Sequence, residues 1–138
     1  MMYVLEMATM ADFTACPNVD TTYTPGTIIQ FGEALTNTGG FFNPDTGIFT
    51  CPVDGLYYFF ITIYTDADIS ISAAIYLDGN RMVDSLSSLS GGDHGVTSLV
   101  TECNMFQGVW VECVDNSGTI RGNRKTSFSG FLLAEYAN

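Results

Sequence analysis

The sequence predicts an all-β domain, a β-sandwich or jelly roll of many short strands, and three observations lead there. No segment keeps an apolar period of 3.6 residues over three turns, so an amphipathic helix has nowhere to form. Several segments instead alternate apolar and polar residues with the period of two that suits a strand with one buried face. Turn-forming residues recur at short intervals between them, and antiparallel strands of that kind protect their edges by folding one sheet onto another.

In chain order, the first turn markers are Asn43-Pro44-Asp45, Pro52 and Asp54-Gly55, where proline fixes the backbone and Asn, Asp and Gly tolerate tight conformations. Gly55 launches the most apolar run, LYYFFITIY from Leu56 to Tyr64, which places Tyr57, Phe59 and Ile61 on one face. That run is far shorter than the ~20 residues a transmembrane helix needs. Next, ISISAAIYL puts Ile69, Ile71, Ala73, Ile75 and Leu77 on one side and Ser70, Ser72, Ala74 and Tyr76 on the other. Asp78-Gly79-Asn80 accepts positive φ, so the chain turns tightly and returns through Arg81, Met82 and Val83. Gly91-Gly92-Asp93 marks a further loop. A second hairpin is expected where TSLVTECNM meets GVWVECV, with Phe106, Gln107 and Gly108 near its turn and Trp110 packing on a sheet face. Asn116-Ser117-Gly118 and Gly122-Asn123 supply the last turns before SFSGFLL.

At 138 residues the chain fits one domain, with residues 1–10 read as an N-terminal extension and 11–138 as the folded unit. Those first residues, MMYVLEMATM, carry Glu6 and lack both a basic leading region and a long apolar stretch, so they are not read as a secretory signal. No internal repeat and no Gly-X-Y tract is present, and a collagen-like stalk is not expected within this chain.

Hydrophobic residues make up 46% of the chain, enough to bury a core without metals or disulfides, while charged residues are only 14%, well below the roughly 25% of ordinary soluble domains. A surface so poor in charge suits a domain whose faces are covered by copies of itself. Fifteen acidic against four basic residues give a net charge of -11, which argues against nucleic acid and anionic membranes as partners and favours cations and basic groups.

Four cysteines, Cys16, Cys51, Cys103 and Cys113, allow two disulfides in an oxidising compartment or buried free thiols. If Cys103 and Cys113 flank a hairpin turning near Phe106, Cys103 faces Val109 and Cys113 lies about four residues farther on at ~3.4 Å each. That separation exceeds the ~7 Å Cα limit of a disulfide, so these two are not expected to pair with each other. The other pairings stay open.

From Phe31 to Ile61 the sequence resembles the signature of the C1q globular-head family, which belongs with the tumour-necrosis-factor-like jelly rolls. Phe31, Asn37, Phe42, Phe49, Gly55, Tyr57 and Phe59 fall on the fixed steps of that signature, and Ile61 stands where it asks for Phe or Tyr. Three further blocks are similar to the family and come in its order. They are NPDTGIFTCPVDGLYYF, GVWVE with Trp110, and SFSGFLL with Phe128 and Gly130. The resemblance spans about Ala11 to Tyr136. It implies a jelly-roll β-sandwich of about ten strands that assembles as a compact homotrimer with apolar and aromatic side chains between subunits, and it identifies a scaffold without pointing to a site.

Catalysis finds no support in the residues. There is one histidine, and no nucleophile elbow, His-Glu-x-x-His, Cys-x-x-Cys or phosphate-cradling glycine loop. His94 follows Gly91-Gly92-Asp93 and is expected in a mobile loop, where with Asp93 it is a candidate ligand contact or pH sensor. Arg121, Arg124 and Lys125 are three of the four basic residues and form a basic loop, suited to an anionic group such as a sialic acid carboxylate, a lipid phosphate or a sulfated glycan. Asp66 and Asp68, with Asp93 and Asp115, offer hard oxygen ligands to calcium, the one candidate cofactor. Tyr23, Tyr64 and Tyr76 are candidates for stacking on sugars.

The function these features suggest is a secreted, trimeric, lectin-like recognition module for anionic glycans or microbial surface ligands, of the kind that head-only members of the resembling family supply to innate immunity. The alternatives are a secreted signalling or adhesion ligand for a protein receptor, as in the cerebellin-type branch, and an acidic calcium-binding matrix protein.

Overall fold

The structure, a computed structural model, describes residues 9–65, 71–86 and 94–137. Within them the chain forms β1 (Asp12–Cys16), β2 (Thr21–Tyr23), β3 (Glu33–Thr38), β4 (Phe42–Asn43), β5 (Ile48–Thr50), β6 (Gly55–Tyr64), β7 (Ser72–Leu77), β8 (Asn80–Leu86), β9 (His94–Cys103), β10 (Gly108–Asp115), β11 (Gly118–Ile120) and β12 (Ser127–Glu135). Two five-stranded antiparallel sheets, ordered β3-β1-β12-β6-β9 and β4-β5-β10-β7-β8, face each other, and β11 pairs with β2 in a separate ribbon. This is the expected all-β jelly roll.

The alternation read from the sequence decides what lies between the sheets. Along β6 the side chains of Tyr57, Phe59, Ile61 and Ile63 are fully buried while their neighbours Tyr58, Phe60, Thr62 and Tyr64 face outward and are half-buried. Opposite them, Ile71, Ala73 and Ile75 lead into and line β7, and Val109, Val111 and Cys113 line β10. Phe13 of β1 occupies the centre of the core, with ring centroids of Phe42, Phe128 and Phe49 at 4.7, 4.8 and 5.0 Å. The Asp78-Gly79 turn joins β7 to β8 as anticipated, with φ of 51° and 91° at its two central residues.

Asn37 shows why that position of the signature is polar. Its side-chain amide donates to the Phe42 carbonyl at 2.8 Å, and the Phe42 N–H donates to its Oδ1 at 3.1 Å, which clamps the crossover from β3 to β4. Asn37→Ala is expected to destabilise the protein by about 1–3 kcal/mol, because two backbone groups of a buried residue lose their partner. Denaturant unfolding would record this as a lower midpoint at unchanged slope.

The second expected hairpin does not form. β9 pairs with β6 along its whole length, from Gly55↔Cys103 to Tyr64↔His94, and β10 pairs with β7 and β5 in the other sheet. Residues 104–107 therefore carry the chain across the sandwich, through a turn in which the Gln107 N–H donates to the Asn104 carbonyl at 3.0 Å. A short turn between two alternating segments fits a hairpin and a sandwich corner equally well, and the alternation itself is blind to which strand becomes the partner.

Cys103 consequently lies opposite Cys51, at a Cα separation of 6.5 Å, and the two are disulfide-bonded. Cys51 sits in the return crossing from β5 to β6, so the bridge ties the two crossings together at one end of the sandwich. Cys16 and Cys113 are free and buried. The cysteines thus divide between the two possibilities left open by the sequence, and Cys103 and Cys113 are indeed unpaired with each other, although the hairpin used to exclude that bond is absent.

Candidate functional site

The opposite end of the sandwich, where β1 and β6 finish and β9 and β12 begin, gathers most of the chain's positive charge. Gly122-Asn123-Arg124-Lys125 folds as a tight turn, with φ of 52° at Asn123 and 65° at Arg124 and the Lys125 N–H donating to the Gly122 carbonyl at 3.1 Å. Asparagine accepts the left-handed region readily, whereas arginine seldom occupies it, so the turn holds Arg124 in a conformation that local sequence preference does not select.

What holds the turn is the segment before β2. The Gly122 N–H donates to Asp20 Oδ1 at 2.8 Å, and a Cβ on Gly122 would meet the Val19 carbonyl carbon at 2.9 Å, so only glycine permits this approach. Arg121 then pairs with Asp20 at 3.1 Å, and Arg124 reaches Glu33 at 3.4 Å. These are half-exposed or exposed pairs, of the kind that contributes little to stability. Their effect is to orient two guanidinium groups outward along one rim.

Tyr64 joins this loop to the last candidate. Its N–H donates to Thr126 Oγ1 at 3.0 Å, its carbonyl accepts from the Arg121 N–H at 2.9 Å, and Lys125 Nζ lies 5.1 Å from the centre of its ring. His94 packs on the same ring at 4.5 Å. His94 is not a loop residue as its neighbours suggested. It is the first residue of β9, exposed and in register with Tyr64, because the β6–β9 ladder extends to the very end of both strands.

The structure thus brings Lys125 and His94 onto the Tyr64 ring and the Arg121 backbone onto its carbonyl, with Arg124 in the same turn, a grouping not visible from a separation of some thirty positions. Asp93, Asp66 and Asp68 lie outside the described residues. Asp115 is exposed at the end of β10. Among the described residues no group of three or more His, Cys, Asp or Glu side chains converges on one point.

Beside the basic rim lies a hollow of about 230 Å³, lined chiefly by Asn18, Val19, Thr21, Tyr23, Gln30 and Gly32. Val19 and Gly32 adjoin the two carboxylate residues that hold Arg121 and Arg124, so hollow and rim are continuous. Burial pushes the Tyr23 hydroxyl pKa above its ordinary value, and that hydroxyl donates to the Gln30 carbonyl at 3.4 Å. Gln30 in turn donates to the carbonyls of Pro44 and Asp45 at 3.2 and 2.7 Å. Sequence reasoning named Tyr23 but missed Asn18 and Gln30, whose proximity depends on β1, β2 and the loop before β3 folding against one another. Of the other tyrosines, Tyr76 stacks on Trp110 at 6.2 Å on the outer face of the second sheet, where Trp110 Nε1 donates to Glu112 at 2.9 Å.

The outer face of the first sheet has a different character. Cross-strand rows there read Phe131-Tyr58-Val100, Ser129-Phe60-Ser98 and Ser127-Thr62-Val96, without a charge. Val96, Val100 and Phe131 are 58%, 55% and 42% exposed, an unusual amount of apolar surface for three neighbouring strands. A groove of about 400 Å³ runs alongside, past Met10, Thr14, Thr36 and Phe131.

Comparison with known proteins agrees with this architecture. The family model described as C1q domain matches residues 12–133. Caprin-2 of Danio rerio is 34% identical over 122 residues, covering 80% of this chain and 13% of that protein. Complement C1q tumor necrosis factor-related protein 3 of Mus musculus is 31% identical over 113 residues, covering 78% of this chain and 45% of that protein. The chain therefore spans less than half the length of these relatives. Among solved structures, the globular domain of zebrafish complement 1qA protein matches with a TM-score of 0.77 at 19% identity, over 91% of this chain and 99% of that one. Eiger TNF from S. frugiperda matches at 0.76 with 11% identity, over 94% of each. At such identities the structural likeness speaks to fold alone.

Proposed function

The chain belongs to the C1q domain family, and on that premise we propose that it is an extracellular recognition module that assembles as a homotrimer and binds anionic glycans or microbial surface ligands without catalysis. The observation that carries this reading is the convergence of Arg121, Arg124 and Lys125 on one rim, beside a polar hollow containing Tyr23, on a protein otherwise strongly acidic. A carboxylate, phosphate or sulfate is the group such a rim selects, and a tyrosine wall with amide and hydroxyl neighbours suits a sugar ring.

Homotrimers are the usual state of the family's domains, and the uncharged rows that β12, β6 and β9 share on the outer face of the first sheet, flanked by Asp12 and Glu102, support the same assembly here, since burying Phe131, Val96 and Val100 removes apolar surface from water. Three copies of a weak site would then act together. On a repetitive surface such linkage raises binding by a factor of ~10²–10⁴ over one contact.

The test is binding of the purified protein to an array of sialylated, sulfated and neutral glycans and to lipopolysaccharide, with and without calcium. The Arg121→Ser/Arg124→Ser/Lys125→Ser variant is expected to lose at least about tenfold in anionic binding, equivalent to ~1.4 kcal/mol, at unchanged oligomer mass. A silent array from an intact trimer sinks the glycan reading. A protein receptor is then the second reading, favoured by the internal pairing of Arg121 with Asp20 and of Arg124 with Glu33, which lowers the net charge of the rim.

A further inference from the structure

The disulfide-tied end carries a feature that the anionic site does not use. Phe106, at the tip of the 104–107 crossing, is 80% exposed, and its neighbour Met105 is 46% exposed. Phe106 also has a φ of 74°, a left-handed conformation that an aromatic L-residue seldom adopts. A glycine would fit this position without strain, yet the chain places a large apolar side chain there and presents it to water.

The surrounding structure holds that conformation in place. The Phe106 N–H donates to the Cys51 carbonyl at 2.8 Å, the Cys51 N–H donates to the Gln107 carbonyl at 2.9 Å, and the Asn104 N–H donates to Gln107 Oε1 at 2.9 Å. Asp54 Oδ1 accepts from the Met105 N–H at 2.7 Å. With the Cys51–Cys103 bridge beneath it, the turn is a rigid mount, and strain kept by an over-determined mount points to a role for the side chain so displayed.

Charge says what that side chain meets. Asp54, Glu102 and Glu135 are exposed around Met105 and Tyr136, which together with Val53 line a small cleft at the foot of the turn. Tyr136 hydroxyl donates to Glu102 at 3.1 Å. Three of the chain's four Lys and Arg residues stand at the far end of β6, and the fourth, Arg81, lies in the other sheet toward the same end as Phe106, where Asp84 pairs with it at 2.6 Å. An apolar knob ringed by three carboxylates repels a second copy of itself and an anionic bilayer. It complements a segment that offers apolar side chains flanked by Lys or Arg.

We propose that Phe106 and Met105 form a docking anchor for a basic, amphipathic protein segment, at the end of the sandwich opposite the Arg121–Lys125 rim. Apolar side chains of the segment cover Phe106 and enter the cleft beside Met105, while its cations meet Asp54, Glu102 and Glu135. The two ends are separated by the length of β6, roughly 30 Å at ~3.4 Å per residue, so both partners can be held at once.

The probe is a set of synthetic amphipathic peptides with Leu and Trp on one face and Lys and Arg along its rim, matched by peptides with the same apolar residues and a Glu rim. The Lys/Arg peptides are expected to bind, to weaken as salt is raised, and to shift the backbone NMR signals of residues 104–107. Phe106→Gly is expected to weaken binding at least about tenfold while the melting temperature holds or rises, since glycine relieves the strained φ. The Arg121→Ser/Arg124→Ser/Lys125→Ser variant keeps peptide binding, which separates this surface from the anionic site. Equal binding by Phe106→Gly, equal binding of the Glu-rimmed peptides, or a lower melting temperature in Phe106→Gly overturns the proposal. So does a fall in oligomer mass, which would make Phe106 a contact between subunits.

Discussion

Replacing Cys51 and Cys103 together by alanine, or reducing their bridge, is expected to lower the unfolding free energy by about 4 kcal/mol. The bond closes a loop of 52 residues, and the chain-entropy estimate for such a loop lies between the ~3 kcal/mol of a short one and the ~4.7 kcal/mol of a hundred-residue one. The melting temperature should fall by roughly 10 °C or more. The folded state survives at moderate temperature, because the two crossings keep their mutual backbone hydrogen bonds from Phe106 to Cys51 and from Cys51 to Gln107. Alanine is the right replacement, as both sulfurs are buried and a serine hydroxyl would need a partner. Denaturant titrations of oxidised and reduced protein measure the difference. A shift below about 1 kcal/mol would mean that the bridge constrains the unfolded chain far less than its loop length implies.

Cys16 and Cys113 provide the control. Burial, reinforced by Glu33 at Cys16 and by Asp115 at Cys113, pushes both thiols above the ordinary cysteine range, so neither is a reactive thiolate at neutral pH. Reductant therefore acts on one bond, and its effect on stability reports that bond alone.

Local signals carried far in this sequence wherever the relevant partner was a neighbour. The Asp78-Gly79 turn, the buried Tyr57, Phe59 and Ile61, and the buried Ile71, Ala73 and Ile75 follow from residues a few positions apart, and the structure has them as expected, whereas Ile69 and Ser70 lie outside the described residues and Ser72 and Ala74, on the other face of β7, are buried as well. What failed was pairing at a distance. The Phe106 corner resembles a hairpin turn because both need the same backbone reversal, and only the β6–β9 ladder, set by contacts forty residues away in sequence, decides between them. The same ladder pulled His94 out of its glycine-rich context into a strand. The disulfide was equally hidden, since Cys51 and Cys103 meet only when both crossings close the same end.

The basic loop shows the same division. Three cations within five positions were legible, and so was the preference of Gly122-Asn123 for a turn. Their carboxylate partners Asp20 and Glu33, and the hollow around Tyr23, come from segments about a hundred residues earlier. No spacing rule links them, because the contact depends on Gly122 resting against the Val19 backbone.

Phe13→Ala is expected to be among the most damaging single substitutions, at about 3–5 kcal/mol. Its ring touches both sheets, lying parallel to Phe42 at 4° and edge-on to Phe128 at 82°, so its loss leaves a cavity that neither sheet can close without moving the other. Gly130 of β12 faces the same space. A Cβ there would come within 2.5 Å of Phe59 Cδ1 and 2.8 Å of Phe13 Cε1, which makes Gly130→Ala an overpacking change of about 1–3 kcal/mol in the intact core. The two defects have opposite sign in volume. In the Phe13→Ala background the Phe59 ring gains room to turn aside, and the new methyl fills part of the void. The double variant should therefore be more stable than the sum of the single losses predicts, by at least about 0.5 kcal/mol. Denaturant unfolding of the four proteins measures that coupling directly. Strict additivity would show that the Gly130 position is strained by Phe59 alone and that the space left by Phe13 is not shared between the two sites.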